Sequence, residues 1–181
     1  YTELSSALIN RQKGLCAFCE IDLTTEIDTP AREIEHWRPK SKNPSLTFDI
    51  SNLRAACLGG TCRYPIAEQY RTGNPSPGPN ISCGAFKEDK DPDLLSIEKR
   101  PYKPDEIPAY TSAFSVDDTG EIYPVSDCSS LGLDISRLKA TIKFFNLNCT
   151  RLKNARKSIQ SSLDEEILEF IENSGVDEET A

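Results

Sequence analysis

A tight Cys16-Ala17-Phe18-Cys19 turn, followed by further cysteines at positions 57, 62 and 83, constrains what this chain can fold into more than any other feature. Two thiolates separated by two residues can grip one ion from a single turn, and zinc takes four such ligands in a tetrahedron. The second pair is Cys57 with either Cys62, close by, or Cys83, across a long loop. Closing the longer loop costs only about 1.5 kcal/mol more. A structural zinc contributes roughly 10 to 16 kcal/mol, so spacing leaves both fourth ligands open. The full set of seven cysteines is odd, which in a reducing compartment points to thiolate ligation before disulfides. A disulfide-built secreted domain is the disfavoured alternative. Cys128 and Cys149 match no ligand spacing and are expected to be buried thiols.

With 181 residues, 37% of them hydrophobic, the chain has material for one modest core and an appendage. It contains no apolar run approaching the roughly 18 residues that span a bilayer. The opening Tyr1-Thr2-Glu3-Leu4 lacks a signal peptide's basic and apolar regions, so a cytoplasmic protein is expected. Because the sequence opens on Tyr1 and has no methionine, the native N-terminus is expected to lie outside it. The net charge of -8 is a tail property. Every charged residue after Lys157 is acidic: Asp164, Glu165, Glu166, Glu169, Glu172, Asp177, Glu178 and Glu179. Setting these eight of 29 acids aside leaves 21 against 21 Lys and Arg, so residues 1–157 are formally neutral. Such a surface holds a polyanion through local contacts or through a basic partner, not through bulk electrostatics.

Along the chain, Leu4, Ala7, Leu8 and Ile9 predict an amphipathic helix over Thr2 to Lys13, ended by Gly14. Ile34-Glu35-His36-Trp37 reads as a strand, and Asp49 to Cys57 holds a second strand with a helix start near Ser51 or Asn52. Residues 58–82, rich in Gly and Pro, read as an inserted surface loop. Alternation over 111–116 and 121–125 around Asp117-Asp118-Thr119-Gly120 predicts a hairpin. The period then changes. Leu133, Ile135, Leu138, Ile142 and Phe145 define one helix face, and Leu152, Ala155, Ile159, Leu163, Ile167 and Ile171 another. Asn148 or Thr150 can cap the second helix and Gly175 close it. Core packing or partner contact is the expected role of both stripes.

His36 is the only histidine, and it stands beside Glu35. For an isolated histidine, ordinary strand packing is the commoner role. Its neighbours suggest phosphodiester hydrolysis instead, which needs a base to take a proton from water and a cation to neutralise charge on the phosphoryl group. An imidazole with a pKa near 6.5 serves as the base. A carboxylate such as Glu35 supplies an oxygen ligand to a hard cation. Adjacent strand residues point to opposite faces, so a bend or bulge is expected to bring both to one site. Arg38, Lys40, Lys42 and Arg54 surround the motif and can hold phosphates, with solvated surface charge as the plainer alternative. Trp37 and Phe18 are expected to be core residues rather than base-stacking ones.

Taken in order, Cys16-Ala17-Phe18-Cys19, Glu35-His36-Trp37-Arg38-Pro39-Lys40-Ser41 and Ser51-Asn52-Leu53 leading to Cys57 resemble the HNH endonucleases of the ββα-metal (His-Me finger) fold. Cys57-Leu58-Gly59-Gly60, an insertion, and Cys83-x-x-x-Lys87 narrow the resemblance to PtuB-like HNH proteins of Septu antiphage systems and some retrons. Thr141-Ile142, Phe145-Asn146-Leu147-Asn148, Leu152 and Arg156 are similar to that family's C-terminal helices.

The resemblance implies an α+β fold with a zinc-stapled HNH nuclease domain over 1–128, its inserted loop at 58–82, and a helical C-terminal extension with an acidic tail over 129–181. It implies His36 as general base, Glu35 as ligand of a catalytic Mg2+ or Mn2+, and Asn52 as the residue pinning the loop that aims the histidine. It also implies structural Zn2+ on Cys16, Cys19, Cys57 and Cys83. The matching Lys87 favours Cys83 over Cys62, and Lys87 joins the expected nucleic-acid-binding set. Many members carry an Asn or His metal ligand after the last knuckle cysteine. Here that place is Gly84, which leaves Glu88, Asp89 or Asp91 as substitutes. The implied partners are a PtuA-like ATPase of the ABC or SMC type, a retron reverse transcriptase with its msDNA, and a nucleic-acid substrate. DNA is favoured over RNA or tRNA, in a bacterial cytoplasm and with no membrane. The alternative is a zinc-bound adaptor whose HNH remnant no longer cuts.

Overall fold

The computed structural model describes residues 2–24, 32–60, 80–108 and 112–174. Helix α1 (Thr2–Arg11) buries Leu8 and Ile9, and Gly14 closes it by donating its N–H to the Ile9 carbonyl. Gln12 ties this end to the strand behind it: its amide donates to the Ala55 carbonyl and its carbonyl accepts the Ala55 N–H, both at 2.8 Å. A short knuckle follows, bridged between Leu15 and Asp22, in which the Cys16 N–H donates to the Ile21 carbonyl.

Strands β1 (Arg32–His36) and β2 (Leu53–Cys57) pair antiparallel in one continuous register, from Arg32 opposite Cys57 to His36 opposite Leu53. The strand expected over 34–37 therefore begins earlier and ends before Trp37. Of the expected bend or bulge, β1 carries no bulge, and a bend follows His36 directly at Trp37 and Arg38. The helix start expected near Ser51 is a single 3-10 turn, Ile50–Asn52, whose backbone Asp49 caps by accepting the Ser51 N–H. Trp37 is buried, and its indole donates to Asp93.

Beyond β2 the chain leaves at Gly59-Gly60 and returns at Asn80, and residues 61–79, including Cys62, lie outside the described ones. The two feet of this excursion are joined. The Ser82 N–H donates to the Gly59 carbonyl at 2.9 Å, and a Cβ on Gly59 (φ +61°) would collide with the Ser82 carbonyl, so glycine is required there. Helix α2 (Cys83–Lys87) then packs on β2, giving a β-β-α order around the cysteines. Three 3-10 turns, Pro92–Leu94, Ile97–Lys99 and Pro104–Glu106, account for the proline-dense stretch.

The predicted hairpin forms as β3 (Phe114–Val116) and β4 (Ile122–Pro124), with Asp117 accepting the Thr119 and Glu121 N–H groups across the turn. Two helices follow, α3 (Ile135–Phe144), capped by Asp134, and α4 (Thr150–Ser174). Neither Asn148 nor Thr150 caps α4 through its side chain. Asn148 instead grips the backbone N–H and C=O of Ile122, and the Cys149 carbonyl accepts the Lys153 N–H. Gly175 lies outside the described residues.

Leu8, Phe18, Trp37, Leu53, Phe145, Leu147 and Leu152 form one buried cluster, with Phe145 stacked on Phe18 at 4.3 Å between ring centres. The segment that begins at 129 thus completes the core beside the knuckle before it becomes an extension. Burying side chains of this size contributes about 1.5 to 3 kcal/mol each. A second cluster gathers Tyr102, Ala113, Cys128, Leu133 and Leu138. The outer part of the second predicted stripe is not core. Ile159, Leu163, Ile167 and Phe170 are exposed on α4. Among the described residues no helix is long and apolar enough to cross a membrane.

Candidate functional site

The sulfur atoms of Cys16, Cys19, Cys57 and Cys83 all lie within 4.8 Å of one another. The Cys19–Cys57 and Cys57–Cys83 separations are both 3.7 Å. A tetrahedron with zinc–sulfur bonds of ~2.3 Å has edges of about 3.8 Å, so the donor set fits such an ion. The knuckle would supply two ligands, the end of β2 the third and the start of α2 the fourth. Cys83 reaches its place through a left-handed backbone, φ 58°, a conformation that costs about 1 to 3 kcal/mol. Hydrogen bonds from Cys19, Cys57 and Cys83 hold the Cys16 thiol well below the ordinary thiol range, and their shared bonds with Cys16 push Cys19 and Cys83 up. Cys57 is lowered as well: its bond with Cys16 raises it, but the hydrogen bonds with Cys19 and Cys83 outweigh that. A bound dication would accommodate all four as thiolates. The Cys57 N–H also donates to the Cys16 sulfur, the kind of outer contact that orients a ligand. All six described cysteines are free, which counts against the disulfide-built alternative.

A cleft of about 300 Å³ lies beside this cluster, lined by Glu33, Glu35, His36, Lys40, Gly84, Lys87 and neighbours. His36 Nε2 stands 3.0 Å from the Thr47 carbonyl oxygen. A carbonyl oxygen only accepts, so Nε2 carries the proton and Nδ1 of the neutral ring is left as the basic nitrogen. The ring is half-buried and not sealed in apolar packing.

Asn52 holds the loop that carries Thr47. Its carbonyl accepts the Arg38 N–H at 2.8 Å, while its amide donates to the Arg38 and Leu46 carbonyls at 3.0 and 3.2 Å. Asn52 is buried, so Asn52→Ala strands these partners at a cost of about 1 to 3 kcal/mol. The expected result is a lower thermal midpoint together with faster amide exchange across residues 38–47. An unchanged exchange pattern would show that the loop is held by other contacts.

Asp91, which sequence reasoning missed as an anchor, performs a parallel task. It accepts from Asn43, from the Asp93 N–H and from Arg38. Burial pushes its carboxyl up, yet the hydrogen bonds from Asn43, Asp93 and Arg38 outweigh that and hold it below the usual range. Asp91 is therefore spent on the loop and does not face the cleft, whereas Glu88 and Asp89 stand on the cleft's exposed rim.

The five expected phosphate-binding cations divide. Lys40 and Lys42 are exposed and Arg38 half-exposed near the cleft, with Lys42 donating to the Asp89 carbonyl and Arg38 pairing with Asp91. Arg54 and Lys87 are corrected: both are buried and committed to carboxylates. Arg54 pairs with Asp105 at 2.8 Å and donates to the Ser51 and Leu53 carbonyls. Lys87, 1% exposed, pairs with Glu35 Oε1 at 2.7 Å. A desolvated ammonium in such a pair has no surface left for a phosphate.

Glu33 is the acidic neighbour that the sequence reading passed over. It shares a face of β1 with Glu35, two residues along. Burial, reinforced by Glu35 and Cys16 and opposed by Lys87, raises its carboxyl from 4.5 to about 7. Folding thus favours the protonated form. That contribution is intact below about pH 4.5 and is lost as pH climbs through about 7. The melting temperature of a zinc-loaded Glu33→Gln variant, relative to the parent, is expected to rise between pH 5 and pH 8. A flat difference would show that Glu33 ionises normally.

No family model matches the chain. It is similar to a curated Escherichia coli protein named "Retron Ec83 putative HNH endonuclease", with 33% identity over an alignment of 180 residues that covers 88% of this chain. The chain spans 65% of the length of that relative.

Proposed function

We propose that this chain is a metal-dependent HNH endonuclease of the ββα-metal kind that hydrolyses phosphodiester bonds of nucleic acid. The observation that carries the reading is His36, fixed by the Thr47 carbonyl with Nδ1 as its basic nitrogen, in the same cleft as Glu35. The similarity to a retron HNH protein supports it, as does the β-β-α order around four clustered cysteines. Zn2+ on those cysteines is the structural metal. The oxygen donors around Glu35 suit Mg2+ or Mn2+, which when bound neutralises charge on the phosphoryl oxygens. His36 Nδ1 accepts a proton from water as the water oxygen bonds to phosphorus and the phosphorus–oxygen bond to the departing sugar breaks, its oxygen taking a proton from solvent. Asn52 keeps the loop and hence the ring in place, and Lys40, Lys42 and Arg38 offer local contacts to the strand.

DNA is the favoured substrate. The setting is antiphage defence in a bacterial cytoplasm beside a PtuA-like ATPase and, in a retron, a reverse transcriptase with its msDNA. The formal neutrality of residues 1–157 supports dependence on a partner that grips the polyanion, and the exposed apolar stripe of α4 offers a docking face for it. A non-cutting zinc adaptor is the second reading, favoured by one observation: Lys87 already occupies an oxygen of Glu35. Incubating the reconstituted complex with supercoiled DNA and with tRNA, in Mg2+ or Mn2+, separates the two. Cleavage that needs the added ion supports the nuclease, and intact substrates in every arm favour the adaptor.

A further inference from the structure

Gly84 stands where a metal-binding side chain is expected, yet the space in front of it is filled. A Cβ built on Gly84 would lie 2.7 Å from Glu35 Oε2 and 3.1 Å from Glu33 Oε1. Two carboxylate oxygens from alternate residues of β1 therefore converge on the point that any side chain at position 84 would take. No residue larger than glycine fits there without displacing them. The remaining Glu35 oxygen is held by Lys87 at 2.7 Å, which leaves Oε2 on the Gly84 side with Glu33. Both carboxylates line the His36 cleft.

We infer that Glu33 supplies the catalytic cation with the oxygen ligand that position 84 lacks, so that the ligand has moved from helix α2 to strand β1 and Gly84 is the accommodation for it. This rests on the proposed nuclease reading. The chemistry is that of a hard divalent ion, which takes carboxylate oxygens and completes its shell with water and phosphate. A backbone that offers no side chain at 84 and two acidic groups opposite it is suited to such an ion. A lone Glu35, already sharing an oxygen with Lys87, is a weaker site.

The test titrates Mn2+ into the zinc-loaded full chain and follows free Mn2+ by electron paramagnetic resonance, with zinc content and circular dichroism confirming that each variant is folded. Glu33→Gln keeps the side chain's size and is expected to weaken Mn2+ binding about tenfold or more. Glu35→Gln is expected to do the same. If Glu35→Gln releases the ion and Glu33→Gln binds as the parent does, the assignment of Glu33 is wrong and the nuclease reading stands. If the parent itself shows no saturable Mn2+ binding, both fall together.

Discussion

On the proposed nuclease reading, replacing His36 with alanine is expected to lower phosphodiester cleavage about 10²- to 10⁴-fold, the usual loss when a positioned general base is removed, with zinc content and partner assembly as in the parent. The ring makes one hydrogen bond to the Thr47 carbonyl and is half-buried, so its removal leaves β1 and the sulfur cluster intact. The loss is expected to be in kcat, because Nδ1 acts on the water proton and contributes little to holding the nucleic-acid strand. Equal rates for variant and parent would remove His36 from the chemistry.

Cys83→Ser is expected to have the largest effect on folding. The four sulfurs join the knuckle, the end of β2 and the start of α2 at one buried point. A serine hydroxyl is a poor zinc ligand, and a structural zinc site contributes roughly 10 to 16 kcal/mol, more than the net stability of an ordinary domain. The variant should bind no zinc and lose its cooperative melting transition, and chelation of the parent should produce the same state. Cys128→Ser, in the second cluster away from the sulfurs, is the control, expected to cost about 1 to 3 kcal/mol. Wild-type melting and full zinc content in Cys83→Ser would place the ion elsewhere.

Periodicity and spacing carried much of this architecture. Alternation marked the β3–β4 hairpin, the 3.6-residue period marked α3 and α4, and the turn Cys16 to Cys19 marked the knuckle. The fourth sulfur was not legible from loop length, because closure entropy varies too slowly to separate Cys62 from Cys83. Charge was the least legible property. Arg54 and Lys87 look like surface cations in sequence, yet both are buried and pair with carboxylates 51 and 52 residues away in the chain, Asp105 and Glu35. Glu33 was missed because the strand was read from Ile34. Beginning it at Arg32 puts Glu33 and Glu35 on one face by simple alternation. The orientation of His36 depends on Thr47, a carbonyl whose position is set by Asn52 and the turns between them, and no local pattern encodes such a contact.

The hydrogen bond between Ser82 and Gly59 brings the described residues on either side of 61–79 to one doorway. Gly59 and Ser82 adjoin two cysteines of the sulfur cluster, Cys57 and Cys83, so a change of length between 61 and 79 is expected to preserve the spacing of the four sulfurs. An epitope or a fluorophore inserted between 61 and 79 is therefore expected to leave the zinc content of the chain as in the parent.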